Sequence, residues 1–308
     1  MMLSRVGDAL YWMSRYVERA EHAARLLEVI RRTLIDLEEV DPQTASRLWS
    51  DTLAVLGLPE GCPRDAAVLD EELAGSVSAA IFRARENARQ VQEVISSEMW
   101  AYLNQTHWHL EEARRSRRRS ELIPDLLTDV VKASFLWSGA TDSTMARGAG
   151  WLFIRIGQFV ERTDRTCHIF TTQWRAIEEQ AWGQLYTTGD NFAWLTLLRS
   201  CGSLEEYRKR HPTRIDPKQI VEFLILDRSY PRTVRYSVNV AADLVRRLGA
   251  MAPQEDNSTE RAFGKLSAKL TYADLPEILE QGPAAFLHGV KEDLSTATAE
   301  LQHGYFLH

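Results

Sequence analysis

The sequence predicts an all-α fold: a single multi-helix bundle, which could consist of two pseudo-repeated halves. Apolar residues recur at helical spacing along almost the whole chain, and no segment shows a convincing period-two alternation. Glycine (16) and proline (10) are scarce among 308 residues, which favours long helices over a loop-rich β architecture. No linker is long enough to divide the chain, so we expect one helical domain over residues 1–308.

Helix-breaking residues predict where the first helices end. Asp41-Pro42 should end the first helix, and the Gly57-Leu58-Pro59-Glu60-Gly61 segment should end the second. We expect a turn from Gly139 to Thr144, before the next long helix. The predicted helices of this half cover about Ser4–Glu39, Ala45–Leu56, Ser76–Arg115, Ile123–Ser138 and Arg147–Gln180.

The C-terminal half contains shorter predicted elements. Between Trp182 and Pro217 we expect short helices that are broken by glycine and proline residues, namely Gly183, Gly189, Gly202 and Pro212. The segment from Met251 to Ser258 is polar and is the best candidate for a disordered loop. The remaining predicted helices cover about Pro217–Arg228, Pro231–Leu248, Ser258–Leu270 and Gly282–His303.

Composition narrows the cellular setting. The net charge is −6, which argues against nucleic acid as a partner. Three widely spaced cysteines (Cys62, Cys167 and Cys201) form no disulfide framework or metal knuckle, so we expect a reducing, cytoplasmic location. No apolar stretch is long enough for a membrane span, and no signal peptide is apparent.

A repeated motif is the most informative feature of the chain. Tyr16-Val17-Glu18-Arg19-Ala20-Glu21-His22 returns as Phe159-Val160-Glu161-Arg162-Thr163-Asp164-Arg165, within similar amphipathic flanks. At 100° per residue, each copy presents a charged face with a central carboxylate and neighbouring cations or donors. The equivalent positions are Glu18 with Glu161, Arg15 with Gln158, His22 with Arg165, and Arg25 with His168.

The repeat predicts two equivalent helices that present these faces to each other or to a shared cleft. In the functional interpretation, Glu18 and Glu161 approach within one cleft, close to Arg19 and Arg162, and hold a zwitterionic or carboxylated ligand or another chain. The alternative is a solvated helix face with i,i+4 ion pairs, each worth a few tenths of a kcal/mol.

Two further segments are dense in charge. One lies within a helix and contains Arg85-Glu86-Asn87; the other surrounds a predicted helix start at Pro231. Free N–H groups at that helix start, beside three arginines, would suit an anion, although an ordinary capped junction is the alternative. The candidate ligand-binding residues are therefore Arg15, Glu18, Arg19, His22, Arg85, Glu86, Asn87, Glu161, Arg162, Arg165, Asp227, Arg228, Arg232 and Arg235.

Other patterns give no site. Only Glu300-Leu301-Gln302-His303 matches the Glu-x-x-His pattern of a di-metal bundle, and His107-Trp108-His109 has the wrong spacing for two ligands on one helical face. No phosphate loop, nucleophile elbow or Cys-His constellation can be assembled, so we predict no metal and no cofactor. The basic run Arg114–Arg119 could dock an acidic partner or RNA but is typical of a solvated helix end.

Three motifs in order resemble the bacterial alpha-E domain family. They are Tyr16–His22, the segment Arg85–Arg89 leading to Ser97-Glu98-Met99-Trp100, and Leu226-Asp227-Arg228 with Pro231–Tyr236. That family takes its name from an all-helical fold with a Glu-Arg motif near the N-terminus. Its members are typically encoded beside, or fused to, a circularly permuted ATP-grasp protein, often near a transglutaminase-like protease.

The resemblance implies a role in ATP-dependent amide or peptide ligation, with an ATP-grasp partner and an amino-acid or peptide ligand. Our first hypothesis is an accessory or substrate-binding helical protein. The alternatives are an enzyme that uses Glu18 and Glu161 as general acids or bases, and a purely structural scaffold; an oligomer is compatible with each. Buried carboxylates with perturbed pKa values would favour the enzyme, and an exposed apolar patch would favour the accessory protein.

Overall fold

The computed structural model describes residues 4–178, 192–212, 215–252 and 256–306. Within these ranges it contains fourteen α-helices and no strand, which confirms the predicted all-α class. The helices are α1 (Ser4–Val40), α2 (Pro42–Leu56), α3 (Ala66–Leu69), α4 (Val77–Gln90), α5 (Ser97–Arg115), α6 (Arg119–Thr144), α7 (Ala149–Glu178), α8 (Phe192–Ser200), α9 (Leu204–Arg210), α10 (Pro217–Leu226), α11 (Val234–Met251), α12 (Ser258–Tyr272), α13 (Leu275–Gln281) and α14 (Pro283–Tyr305).

The two longest helices, α1 and α7, pack against each other and carry the two copies of the repeated motif. Helix α1 also packs against α2, α4, α6 and α8, while α7 packs against α11 and α14. As a result, α1 is enclosed on several sides. Its apolar stripe, which includes Met13, Val17 and Ala20, is buried, and so are Glu18 and His22 on the opposite, charged face.

Two apolar clusters form the core. The larger one joins α1 and α7 to the C-terminal helices, and the smaller one lies among α1 to α6. Helix α1 contributes to both, through residues such as Leu26 and Ile30 to the larger and Ala23 and Leu27 to the smaller. This helix therefore connects the two halves of the hydrophobic core.

Most predicted boundaries lie within a few residues of the observed ones, but two predictions in the first half are wrong. The long helix predicted over Ser76–Arg115 is divided into α4 and α5, because Ser96 caps a new helix by accepting a hydrogen bond from the Met99 N–H (3.3 Å). The turn predicted from Gly139 to Thr144 is helical, since α6 continues to Thr144. One glycine costs a helix only about 1 kcal/mol, and packing of α6 against α1 and α5 outweighs that cost.

In the second half, the helix predicted to start at Pro231 starts at Val234. The Thr233 side chain caps it by accepting a hydrogen bond from the Tyr236 N–H (3.4 Å). Gly202 separates α8 from α9, as predicted, with a positive φ of 64°. The short helices α3 and α13 were not predicted. The expected breaks at Gly183 and Gly189 lie outside the described residues, as do positions 253–255 of the expected Met251–Ser258 loop.

Candidate functional site

The two copies of the motif bind each other crosswise. Arg162 of α7 donates two hydrogen bonds to the Glu18 carboxylate of α1, from Nε to Oε1 (2.5 Å) and from Nη2 to Oε2 (2.9 Å). Arg19 of α1 donates two to the Glu161 carboxylate of α7, from Nε to Oε1 (2.6 Å) and from Nη2 to Oε2 (3.0 Å). Such bidentate pairs fix geometry as well as charge. The repeat thus fastens α1 to α7 through two reciprocal ion pairs.

The flanking residues repeat the same symmetry. Arg15 Nε donates to the α7 carboxylate (2.7 Å), and its equivalent Gln158 donates through Nε2 to the α1 carboxylate (3.2 Å). One turn further along each helix, Arg165 Nε lies 3.4 Å from the α7 carboxylate and His22 Nε2 lies 3.3 Å from the α1 carboxylate. Each carboxylate therefore has equivalent neighbours, and the two helices are related by a local pseudo-two-fold axis.

The loop between α10 and α11 adds a third element. Arg232 donates to both oxygens of Glu21, at 2.8 and 3.2 Å, and Arg25 also pairs with that carboxylate. Arg162 Nη1 donates to the Pro231 carbonyl (3.2 Å). The ion pairs thus join three parts of the chain. We call the following residues the Glu-Arg cluster: Arg15, Glu18, Arg19, Glu21, His22, Arg25, Gln158, Glu161, Arg162, Arg165 and Arg232.

The three carboxylates of the cluster are buried and ionised. Glu18, Glu21 and Glu161 are 5%, 2% and 0% exposed. Burial alone would raise the pKa of each carboxyl group, but the neighbouring guanidinium groups more than offset it. The pKa of Glu18 lies well below its ordinary value, that of Glu161 is also lowered, and that of Glu21 falls to about 2. Groups held so firmly ionised are unsuited to proton transfer at neutral pH, which argues against Glu18 and Glu161 as general acids or bases.

The same carboxylates include a group with the composition of a metal site. Glu18, Glu21 and His22 offer three ligand atoms within 4.8 Å of one another, and all three residues are buried. However, the two carboxylates are already compensated by the guanidinium groups of Arg162, Arg232 and Arg25. A divalent cation would have to displace these partners and would meet their positive charge at close range. The charge balance therefore favours an ion-pair network over a metal centre.

Space inside the cluster is small. A cavity of about 50 Å³ lies between α1, α6 and α7, and Glu18, Glu21, Arg162 and Arg232 are among its lining residues. A volume of this size accommodates a few water molecules. The space between the two motifs is thus a small, charged cavity, and a ligand larger than a few water molecules has to bind beside it.

The segment around Arg85 lies apart from these ion pairs. Arg85 Nε donates to Asn104 Oδ1 of α5 (2.8 Å), and its guanidinium group lies over the Trp100 ring, 5.5 Å from the centroid. Glu86 pairs with Arg85 and Arg89, while the Asn87 side chain donates to a backbone carbonyl of its own helix. These three candidate residues therefore form a separate α4–α5 group.

The three arginines of the anion site predicted at Pro231 have different surroundings. Arg228 is exposed, Arg235 reaches only the Leu226 carbonyl (3.5 Å), and Arg232 is committed to Glu21. Asp227 organises the loop by accepting hydrogen bonds from the N–H groups of Ser229 and Tyr230, both at 2.8 Å. The three arginines diverge because the helix starts three residues later than expected, with a capping threonine.

One feature was missed by the sequence analysis. A cleft of about 540 Å³ opens beside the Glu-Arg cluster, where α1 faces α8 and α9. Its signal in the sequence was the continuation of the charged α1 face past Arg25, at spacings of three and four residues. We call it the α1–α8 cleft, and its charged lining residues are Arg25, Glu28, Arg32, Asp36, Arg199 and Glu205.

The fold and its ion pairs define an all-helical protein in which two central helices each carry a Glu-Arg dipeptide and pair crosswise. The chain belongs to the Alpha-E family, described as a predicted alpha-helical domain with a conserved ER motif. The family model matches residues 2–306, so it covers nearly the whole chain and confirms the resemblance seen in the sequence.

Relatives are found among mycobacterial proteins. The chain is 23% identical over 321 residues to the uncharacterized protein Mb2597 of Mycobacterium bovis, and 22% identical over 321 residues to the uncharacterized protein Rv2567 of Mycobacterium tuberculosis. Each alignment covers 96% of this chain but 35% of the relative, so the chain spans about a third of the length of the curated relatives it matches. No solved structure matches. Among the described residues, no helix combines the length and apolar character needed to cross a membrane.

Proposed function

We propose that this chain is an accessory helical protein that binds substrate for an ATP-grasp amide or peptide ligase and docks onto that ligase. The observation that carries the proposal is the exposure of large apolar side chains on α5 and α6, next to the buried ion pairs. An accessory protein needs a surface for its partner, whereas a self-contained enzyme needs a site with reactive groups.

Four large apolar side chains are exposed on α5 and α6, and one of them, Leu136, lines a groove of about 300 Å³ between these helices. Phe135 and Leu136 of α6 are 55% and 53% exposed, and Trp108 of α5 and Leu122 of α6 are exposed as well. Exposed large apolar side chains are typical of protein–protein contacts. We call this the α5–α6 surface and assign the ligase to it.

The greater length of the mycobacterial relatives supports the proposal that this chain works with a partner protein. About two thirds of each mycobacterial relative lies outside the part that this chain covers. A unit equivalent to this chain is there attached to a larger amount of further protein. In the present system, we propose that a separate ATP-grasp chain supplies the ATP-dependent step, as the family resemblance implies.

The Glu-Arg cluster fits this division of labour as a rigid support. Its carboxylates are ionised and paired, so they hold α1, α7 and the α10–α11 loop in place without taking part in proton transfer. Arg25 and Arg232 each lie 5.9 Å from the centroid of the Phe135 ring. The cluster thus contacts the α5–α6 surface directly and connects it to the rest of the bundle.

The test is reconstitution with a circularly permuted ATP-grasp protein of the kind that the family resemblance implies. We expect the two proteins to co-elute in size-exclusion chromatography, and ADP formation in the presence of amino acids to require both chains. Leu136→Asp should weaken the complex at least ten-fold, because it places a charge in the apolar groove. The matched control is Met251→Asp, which changes an exposed apolar residue at the end of α11.

Ligase activity that is unaffected by the presence of this chain would contradict the proposal. So would a complex that Leu136→Asp and Met251→Asp weaken equally, since the α5–α6 surface would then have no special part in docking.

A further inference from the structure

We infer that the α1–α8 cleft binds a zwitterionic ligand, a free-ended amino acid or short peptide, through its carboxylate and its ammonium group. The inference rests on the proposed function and deepens it, because it names the class of substrate and the place where the substrate is held. It concerns residues that lie outside the repeated motif.

The cleft has the dimensions of a ligand site. Its volume of about 540 Å³ falls within the range of roughly 300–1,000 Å³ that is usual for small-molecule pockets. By contrast, the cavity inside the Glu-Arg cluster holds about 50 Å³. Among these two neighbouring spaces, only the cleft can enclose an amino acid or a peptide of a few residues.

The cleft lining contains charged side chains of both signs, and some of them have no ion-pair partner among the described residues. Arg32 pairs with Glu28 (2.7 Å), and Arg25 pairs with Glu21. Arg199, Asp36 and Glu205 also line the cleft, and none of the three forms an ion pair with a residue in the described ranges. Within the described residues, the cleft lining thus contains one guanidinium group and two carboxylates without an ion-pair partner. A ligand with both a carboxylate and an ammonium group could pair its carboxylate with Arg199 and its ammonium group with Asp36 and Glu205.

One wall of the cleft is fixed by the Glu-Arg cluster. Gly202 has a φ of 64°, and a Cβ atom there would lie 3.1 Å from both Arg25 Nε and Arg232 Cδ. The Gly202 carbonyl accepts a hydrogen bond from the Tyr230 hydroxyl (2.6 Å). A glycine therefore allows both arginines to lie against the cleft wall, where Glu21 holds them in place. A wall ordered before binding reduces the entropy that a ligand has to overcome.

The test is equilibrium dialysis of the purified chain against a library of free-ended tripeptides, with retained peptides identified by mass spectrometry. The same library is used with N-acetylated ends, which lack the ammonium group, and with C-terminal amides, which lack the carboxylate. Inorganic phosphate serves as a simple anion. We expect retention of free-ended peptides, and retention at least ten-fold lower for both modified libraries.

Two variants locate the site. Arg199→Ala should lower the retention of free-ended peptides at least ten-fold, and Asp36→Asn combined with Glu205→Gln should do the same. All three residues are exposed, so circular dichroism should show an unchanged fold. Arg208→Ala, which removes an exposed arginine of the adjacent helix α9 outside the cleft lining, is the matched control and should leave retention unchanged.

The inference is overturned if no free-ended peptide is retained, if either modified library or phosphate binds equally well, or if Arg199→Ala and Arg208→Ala behave alike. The dialysis uses the chain alone, so its outcome is separate from the ligase experiment. Peptide binding without any effect on the ligase would refute the partnership and leave the cleft assignment intact. A functional complex without peptide binding would refute the cleft and leave the partnership intact.

Discussion

At the scale of single residues, Glu161 is the most deeply buried carboxylate among the described residues. It is 0% exposed and contacts three guanidinium groups, those of Arg15, Arg19 and Arg165. A carboxylate in this position neutralises cations that are themselves partly or fully removed from water. The contribution of Glu161 to stability is therefore best measured by the free energy of unfolding that is lost when its carboxylate is removed and the arginines remain.

We predict that Glu161→Gln lowers the free energy of unfolding by about 3–5 kcal/mol, because a buried ion pair that loses one partner leaves an uncompensated charge. Urea unfolding measures this change. The matched control is Glu121→Gln, since Glu121 forms an exposed i,i+3 pair with Arg118 and should contribute less than about 1 kcal/mol. Equal effects of the two substitutions would show that burial of the cluster has no energetic importance.

Gly202 gives a second prediction at this scale. Gly202→Ala should destabilise the chain by more than Gly57→Ala, for which about 1–2 kcal/mol is expected from the positive φ alone. The difference arises because a Cβ atom at Gly202 would crowd Arg25 and Arg232, whereas one at Gly57 would meet open space. Urea midpoints of the two variants make the comparison, and a smaller loss at Gly202 would contradict the close approach.

At the scale of elements, the α1–α7 interface makes stability depend on pH. The pKa values of Glu18 and Glu161 are lowered in the folded chain, and that of Glu21 falls from 4.5 to about 2. The folded state therefore binds protons less readily than the unfolded state. The stabilisation that these three carboxylates give the folded chain is complete above the ordinary carboxyl pKa. It is lost as the pH falls through their lowered pKa values in the folded chain.

We predict that the free energy of unfolding declines gradually below about pH 7, because burial lowers the pKa of His168 from 6.5 to about 4, and more steeply from about pH 5 to pH 2, where the carboxylates are protonated. For Glu21 alone, the shift corresponds to about 3 kcal/mol. Urea unfolding at a series of pH values follows the decline. The decline should be shallower in Glu21→Gln, which has no carboxyl group to titrate at this position; an unchanged slope would show that other groups cause the acid sensitivity.

How much of these elements the sequence could predict depends on the type of signal. The repeat indicated that Glu18 and Glu161 belong to equivalent helices, and the structure brings them together. It could not show that each motif pairs with the arginine of the other, because crosswise pairing depends on how α1 and α7 are set against each other. Helical periodicity left open whether the charged face of α1 meets the equivalent helix, a cleft or solvent, and the structure shows that it meets α7.

The α1–α8 cleft was missed for a related reason. Its lining combines residues of α1 with Arg199 and Glu205. These two residues lie more than 150 positions after α1 in the sequence and share no motif with it. Spacing on one helix could have indicated only the α1 half of the cleft. Sequence patterns predict what lies on one element, whereas a site between elements depends on long-range packing.

At the scale of the whole molecule, α1 contributes to both apolar clusters, and the Glu-Arg cluster ties it to α7 and to the α10–α11 loop. We therefore predict that the chain unfolds in one cooperative transition. Far-ultraviolet circular dichroism, which reports helix content, and tryptophan fluorescence, which reports packing, should give coincident urea curves. Two separated transitions would show that the halves of the core are stabilised independently.

The central claim is that the reciprocal ion pairs are architectural, and a double-mutant cycle on Glu18 and Arg162 tests it most directly. Urea unfolding of Glu18→Gln, Arg162→Gln and the double variant gives the coupling free energy. We predict a coupling of about 2 kcal/mol or more, with the double variant more stable than the sum of the single losses implies. The exposed pair Arg118–Glu121 should give about 0.5 kcal/mol or less. A similarly small coupling at Glu18 and Arg162, together with lost ligase activity in stable variants, would contradict the claim and make the repeated motif a functional site.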